Sequence, residues 1–163
     1  MKSADIIFDK VCRLMEIILI VIFGLLVIDV LSQVFSRYIL NTSFAFTEEL
    51  ARFSLIWMSI LGAAYLNGKR MHLSMDFLYQ KFSEKTRKKV LLFIECCIFL
   101  FALIVMVIGG FNLVYITLHL EQLSGTLRIP LGYIYAILPA SGLLIMCFSV
   151  YHIFKINANQ IID

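Results

Sequence analysis

The sequence predicts an all-α integral membrane protein, with four transmembrane helices in a single membrane domain over residues 1–163 and both termini in the cytoplasm. Composition, apolar runs and the placement of basic residues lead there. Of 163 residues, 61% are hydrophobic and 15% charged, against about 45–50% and ~25% in soluble domains. Cys96 to Leu120 and Ile129 to Phe154 contain no Asp, Glu, Lys or Arg. Crossing ~30 Å of hydrocarbon takes ~20 apolar residues at 1.5 Å per residue. Four such spans leave short loops and no room for a soluble catalytic domain.

The first span is predicted at about 14–36 and contains Glu16 and Asp29. Lys2, Lys10 and Arg13 precede it, as in a signal peptide. No small-x-small cleavage pattern follows, and the run continues into Asp29, Gln33 and Arg37, so it reads as a retained anchor. Asp29, Gln33 and Arg37 lie at i, i+4 and i+8, with Ser32 and Ser36 on the same side. An ionisable group in a span is costly and normally faces protein, so this polar stripe reads as helix–helix contact, with ion binding as the other reading.

The second span is predicted at about 48–67. Thr47 is placed to cap it, and Glu48 and Glu49 suit the positive end of the helix dipole. Arg52 is i+4 from Glu48 and i+3 from Glu49 and can pair with either. Ser59, Gly62 and Ala63 form a small-residue face of the kind that lets helices approach closely. The charged turn reads as a clamp at the membrane surface and as a docking point for another subunit.

The third span is predicted at about 90–119, with Glu95 near its start and Ala102 and Gly109 following at heptad intervals. The fourth is predicted at about 131–154. Pro130 suits its start, Pro139 is expected to kink it, and Tyr135, Gly142 and Ser149 recur every seven residues as a packing face.

Basic residues set the orientation. Lys2, Lys10 and Arg13, then Lys69, Arg70, Lys81, Lys85, Arg87, Lys88 and Lys89, then Lys155 fall on one side. Only Arg37, Arg52 and Arg128 fall on the other. The positive-inside rule puts the richer side in the cytoplasm. In the middle loop, Met71, Met75, Leu78 and Phe82 outline a short interfacial helix, with a strand-like alternation of Met71, Leu73, Met75 and Phe77 as the other reading. Lys85, Arg87, Lys88 and Lys89 are assigned to lipid anchoring, each contributing about 1 kcal/mol beside anionic lipid. Cys12, Cys96, Cys97 and Cys147 show no metal or redox spacing and read as small packing residues toward the cytoplasmic side, where thiols stay reduced.

A net charge of +3 gives no reason to expect nucleic acid as a partner. No nucleophile–base group, phosphate loop or zinc motif is present, so neither an enzyme nor a bound cofactor or metal is expected. His119 falls at the outer side and His72 and His152 at the inner, which argues against a bis-histidine haem. The alternative function is a self-sufficient four-helix proton-coupled carrier or exporter. Against it, Glu16 and Glu95 lie near the cytoplasmic face and Asp29 is off-centre. Only one span holds an interior proline, whereas carriers often pair broken helices around a midplane site. An accessory subunit fits better.

The stretch from Arg37 to Tyr135 resembles the small membrane subunit, DctQ-like, of tripartite ATP-independent periplasmic (TRAP) transporters. The resemblance lies in Arg37-Tyr38, Phe46-Thr47-Glu48-Glu49-Leu50-Ala51-Arg52, Trp57 and Gly62-Ala63-Ala64. It continues through His72, Asp76, Phe77-Leu78, Ile129-Pro130-Leu131-Gly132-Tyr133-Ile134-Tyr135 and Pro139. Phe46 departs from the family's usual Trp while keeping an aromatic at the interface. The resemblance implies a non-catalytic, multi-pass subunit of the bacterial inner membrane. Its partners are a large many-span subunit that carries substrate with sodium, and a periplasmic protein that captures a carboxylate such as sialic acid or a C4-dicarboxylate. Asp29, Gln33, Arg37, Glu48, Glu49 and Arg52 then become candidates for assembly. Glu121 and Arg128, in the loop from His119 to Gly132, become candidates for docking the binding protein.

Overall fold

A computed structural model describes residues 2–39, 44–69 and 84–158. The elements are α1 (Lys2–Ile39), α2 (Ala45–Lys69) and α3 (Glu84–Phe101), which runs on through a π-helical segment (Ala102–Gly109) into α4 (Gly110–His119). After a loop come α5 (Leu131–Tyr135) and α6 (Ile137–Asn157). Four stretches are long and apolar enough to cross a membrane: Asp5–Ile39, Ala45–Lys69, Thr86–His119 and Leu131–Asn157. Each contains its predicted span and extends past it. With 38 residues, α1 is about 57 Å long at 1.5 Å per residue and outreaches the hydrocarbon layer. The predicted interfacial helix, Met71 to Phe82, and His72 lie outside the described residues.

The last span is the central one. α6 buries Ile137, Ile145, Phe148, Ser149, His152 and Ile156. It packs against α2 on one side and α3 with the π segment on the other, and α1 lies against α2. Near its start α1 also reaches α6, where Phe8 stacks on Tyr151 at 4.4 Å and meets Phe148 edge-on at 5.3 Å. Beyond these contacts α1 leaves Ile17, Ile20, Phe23 and Leu25 exposed, an apolar flank for lipid or another apolar protein to cover.

Cross-links show which ends coincide. Asp5 pairs with Lys155 at 3.3 Å, and Lys88 Nζ donates to the Asn157 carbonyl at 3.4 Å. The first turns of α1, the end of α6 and the start of α3 therefore share one end, the terminal end. The opposite end carries the α4–α5 loop and is the loop end.

The third and fourth spans depart from regular helix where they face each other. Pro139 has no N–H to offer Tyr135, and the helix breaks at Ala136 between α5 and α6 rather than bending at the proline. Opposite it, Ala102, Met106 and Gly110 are buried at intervals of four. The wider π winding moves the register, so Gly110 and not the expected Gly109 faces the core. A Cβ on Gly110 would sit 2.9 Å from Pro139 Cδ, and one on Gly142 2.8 Å from Met106 Cβ. The two irregular segments fill each other.

All four cysteines are free thiols. Only Cys12 is buried, so the packing role expected for Cys96, Cys97 and Cys147 fails: these are exposed on the bundle surface.

Candidate subunit interface at the loop end

α2 begins at Ala45, two residues before the expected cap. Thr47 therefore lies inside the first turn, and its Oγ1 donates back to the Phe44 carbonyl at 2.8 Å. Thr47 is not the N-cap. Starting here, successive side chains point about 100° apart around the helix, which separates the two adjacent acids.

Glu48 points outward and takes Arg52, Oε1 to Nη2 at 3.7 Å, with side chains 69% and 70% exposed. An exposed pair of this kind contributes roughly 0–1 kcal/mol, so it does not hold the helix end. Glu49 points to the α4–α5 loop. Its Oε1 accepts the Gly125 N–H at 3.0 Å, and its Oε2 accepts those of Thr126 at 3.0 Å and Leu127 at 2.9 Å. Consecutive backbone donors form an anion cup, and bonds to a carboxylate are stronger than neutral ones. Of the two acids offered to Arg52 by spacing, Glu48 takes it and Glu49 fixes a loop 76–78 positions away.

The loop is shaped from within as well. Ser124 N–H donates to the Ile129 carbonyl and Leu131 N–H to the Gln122 carbonyl, both at 2.9 Å, around an isolated bridge between Leu123 and Pro130. Glu121 (φ 48°) and Arg128 (φ 52°) flank it in the left-handed region, which costs an ordinary L-residue roughly 1–2 kcal/mol. The docking candidates chosen for charge thus sit at the two strained corners, exposed to solvent. Trp57 Nε1 donates to the Ile134 carbonyl at 3.1 Å and ties α5 to α2, using one of the carbonyls left over at a helix end.

On α1, Gln33 Nε2 donates to Asp29 Oδ2 at 2.9 Å and Ser32 Oγ to the Asp29 carbonyl at 2.7 Å. Ser36 is buried and Arg37 exposed. The predicted stripe exists, but its polar bonds run along α1. A cavity of about 230 Å³ lined by Gln33, Arg37, Tyr38, Thr47 and Glu48 brings its upper part to the start of α2. Asp29 lies one turn deeper, on an apolar cavity with Leu25, Leu50 and Ser54. A further apolar cavity of about 500 Å³ lies between Ile22 on α1, Leu50, Phe53 and Trp57 on α2, and Ile129 and Tyr133. Nothing comes within 4 Å of a Cβ built on Gly62, so no other part of the described chain packs at that point of the small-residue face.

The basic candidates lie at the terminal end, in the first turns of α3. Lys89 is exposed, Arg87 and Lys88 are half-buried, and Lys88 turns to Asn157. The Lys85 side chain lies outside the described residues. Sequence reasoning missed three links: Glu49 to the loop, Trp57 to Ile134, and a buried contact between Glu95 and His152. A signal existed only for the last, two lone ionisable residues at one depth of otherwise uncharged spans. Among the described residues no group of three His, Cys, Asp or Glu is placed to hold a metal ion. The arrangement offers a shaped surface rather than a reactive centre.

Residues 26–158 match the family profile described as tripartite ATP-independent periplasmic transporters, DctQ component. The chain is 34% identical over 86 residues to the sialic acid TRAP transporter permease protein SiaT of Haemophilus influenzae, covering 50% of this chain and 13% of that protein. A second Haemophilus influenzae protein, assigned by name to the TRAP transporter small permeases, is 27% identical over 126 residues, covering 76% of this chain and 75% of its own length. The sialic acid TRAP transporter small permease protein SiaQ of Vibrio cholerae is 28% identical over 94 residues, 58% of this chain and 54% of that one.

Proposed function

We propose a bracing role for this chain, which belongs to the DctQ component family of the tripartite ATP-independent periplasmic transporters. That family consists of transporter permease subunits and is not enzymatic. In this reading the chain is the small permease subunit of a sodium-coupled system that takes up a carboxylate, with sialic acid favoured by the names of two relatives. It is a multi-pass protein of the bacterial inner membrane, with the terminal end in the cytoplasm and the loop end in the periplasm. The apolar flank of α1 and the open face of α2 at Gly62 receive a large transport subunit. Asp29, Gln33, Arg37, Glu48 and Arg52 shape the outer rim of that contact. The loop carrying Glu121 and Arg128 meets the periplasmic substrate-binding protein. Lys85, Arg87, Lys88 and Lys89 lie against the anionic inner leaflet.

The observation that carries this reading is the Glu49 clasp. It holds the loop by three backbone donors, so this carboxylate serves surface shape and is not left free for a solute. The self-sufficient carrier is disfavoured because the π segment and the first residue of α4 pack directly on α6, at Met106–Gly142 and Gly110–Pro139.

Arg52→Glu is the test. Its pair is exposed, so stability of the isolated chain changes by no more than ~1 kcal/mol, while co-purification with the large subunit or the rate of uptake falls. Unchanged assembly together with unchanged uptake counts against the rim assignment. For the docking loop, a photo-cross-linker at position 121 or 128 is expected to capture the binding protein. Capture of lipid alone removes that part of the reading.

A further inference from the structure

Between α1 and α5 the bundle stands open. At the terminal end α1 is closed onto the rest: Phe8 stacks on Tyr151, and Cys12 and Met15 join the buried core. Toward the loop end α1 follows one flank of α2, while the Trp57 bond to Ile134 ties α5 to the other. An apolar cleft of about 500 Å³ remains between these two walls. Its floor is Phe53, Ser54 and Trp57, with Ile22 on one side and Ile129 and Tyr133 on the other. The floor residues belong to the loop-end half of the 25-residue α2, so the cleft opens into the outer part of the apolar layer on that side.

A bilayer does not leave such a cleft empty. Lining atoms with nothing opposite them forfeit dispersion contacts, and the medium that reaches them is lipid tail. Tails are as apolar as the lining, so the gain comes from close packing and not from release of water.

The rim adds a charge. Arg128 precedes Ile129 of the wall; its side chain is exposed and makes no ion pair among the described residues. The Glu49 clasp on Leu127 fixes the backbone beside it. The nearby carboxylates are engaged elsewhere. Glu48 takes Arg52, Glu49 takes three loop N–H groups, and Asp29 takes Gln33. Glu121 stands at the other corner of the loop. An uncompensated cation at the mouth of an apolar cleft is complementary to a molecule with an anionic head and an apolar tail.

We propose that the cleft between α1 and α5 is a phospholipid site. One acyl chain of an anionic phospholipid, from the leaflet at the loop end, lies along Phe53, Ser54 and Trp57, and its phosphate meets Arg128. Side chains of a partner subunit are the competing occupant, and the direction of α2 argues against them. At 100° per residue, Gly62 points about 80° away from Ser54, about 140° from Trp57 and about 180° from Phe53. A large subunit seated at Gly62 therefore leaves the cleft to the bilayer. That step rests on the proposed function, whereas lipid binding by the isolated chain does not.

Trp57 is the sole tryptophan and lines the cleft, so its fluorescence reports the occupant. The purified full chain is placed in phosphatidylcholine bilayers containing increasing amounts of phosphatidylglycerol or phosphatidylcholine with brominated acyl chains, which quench tryptophan on contact. Brominated phosphatidylglycerol is expected to reach the same quenching at about one-fifth of the mole fraction, the factor that one cation gives beside an anionic headgroup. Arg128→Asn removes the charge and keeps a residue that tolerates the left-handed backbone; the two lipids are then expected to quench alike. Ser54→Phe fills the floor and is expected to weaken quenching by both. Equal quenching by the two lipids in the wild type overturns the proposal, as does a preference that survives Arg128→Asn or quenching that Ser54→Phe leaves unchanged. If a variant does not fold, the wild-type preference decides alone. In the assembled transporter, a photo-cross-linker at position 133 is expected to take lipid, and capture of the large subunit there gives the cleft to protein and overturns the proposal. The quenching result stands whether or not the chain braces a large subunit, so the two readings fail separately.

Discussion

The same small change at two glycines is expected to have opposite effects. In Gly110→Ala the new methyl lies 2.9 Å from Pro139 Cδ, 3.0 Å from Pro139 N and 3.3 Å from Leu138 Cβ, all inside the ~3.5–4.0 Å of ordinary carbon contact. A proline ring cannot rotate away, so the π segment and α6 must part by about half an ångström. Overpacking of this kind costs about 1–3 kcal/mol. In Gly62→Ala the methyl meets nothing within 4 Å. Both variants gain the ~0.8–1.0 kcal/mol by which Ala exceeds Gly in a helix, so that gain cancels in the comparison. Gly110→Ala is therefore expected to be less stable than Gly62→Ala by about 1–3 kcal/mol, or roughly 5- to 160-fold in the unfolding equilibrium. The assay is denaturant unfolding in nanodiscs followed by Trp57, the sole tryptophan, which reports the α2–α5 contact through its bond to Ile134. Equal stability of the two variants would refute the packing of Gly110, at the start of α4, on Pro139. Gly62→Leu then separates fold from assembly: the isolated chain stays folded, while capture of the large subunit weakens.

Trp57→Phe keeps the ring and loses the bond to the Ile134 carbonyl. It is expected to cost about 0.5–1.5 kcal/mol and to speed hydrogen exchange across α5; unchanged exchange there would show that the bond does not tie α5 down. Arg128→Gly removes the left-handed penalty and is expected to leave the loop intact. Arg128→Val, β-branched at φ 52°, is expected to destabilise the loop by about 1 kcal/mol or more. Limited proteolysis between residues 121 and 131 distinguishes the two, and equal cleavage contradicts the strain argument.

The spans were legible because hydrocarbon selects for uninterrupted apolar length, and Cys96 to Leu120 and Ile129 to Phe154 leave no other reading. Their ends were less so. The first turns of α1 hold Lys2, Asp5 and Lys10, which a hydropathy argument excludes, yet Phe8 stacks on Tyr151 of α6 and Cys12 joins the buried core, and the helix extends through them. The π segment was not legible: Ala102 to Gly109 is uniformly apolar, and the glycine it packs against through Met106, Gly142, lies in another span. For that reason the heptad spacing points to Gly109 where Gly110 packs. At the loop end, the local pair Glu48–Arg52 was readable from spacing, but Glu49's partners are backbone N–H groups 76–78 positions away. No side-chain pattern announces those. The left-handed corners at Glu121 and Arg128 were likewise hidden, since neither is the glycine that such a backbone favours.

The bracing role is tested most directly by uptake of labelled sialic acid into proteoliposomes that contain this chain alone, the large subunit alone, or both, each with the binding protein and a sodium gradient. The account predicts uptake only when both membrane subunits are present, and none with this chain by itself. Uptake by this chain alone would contradict it.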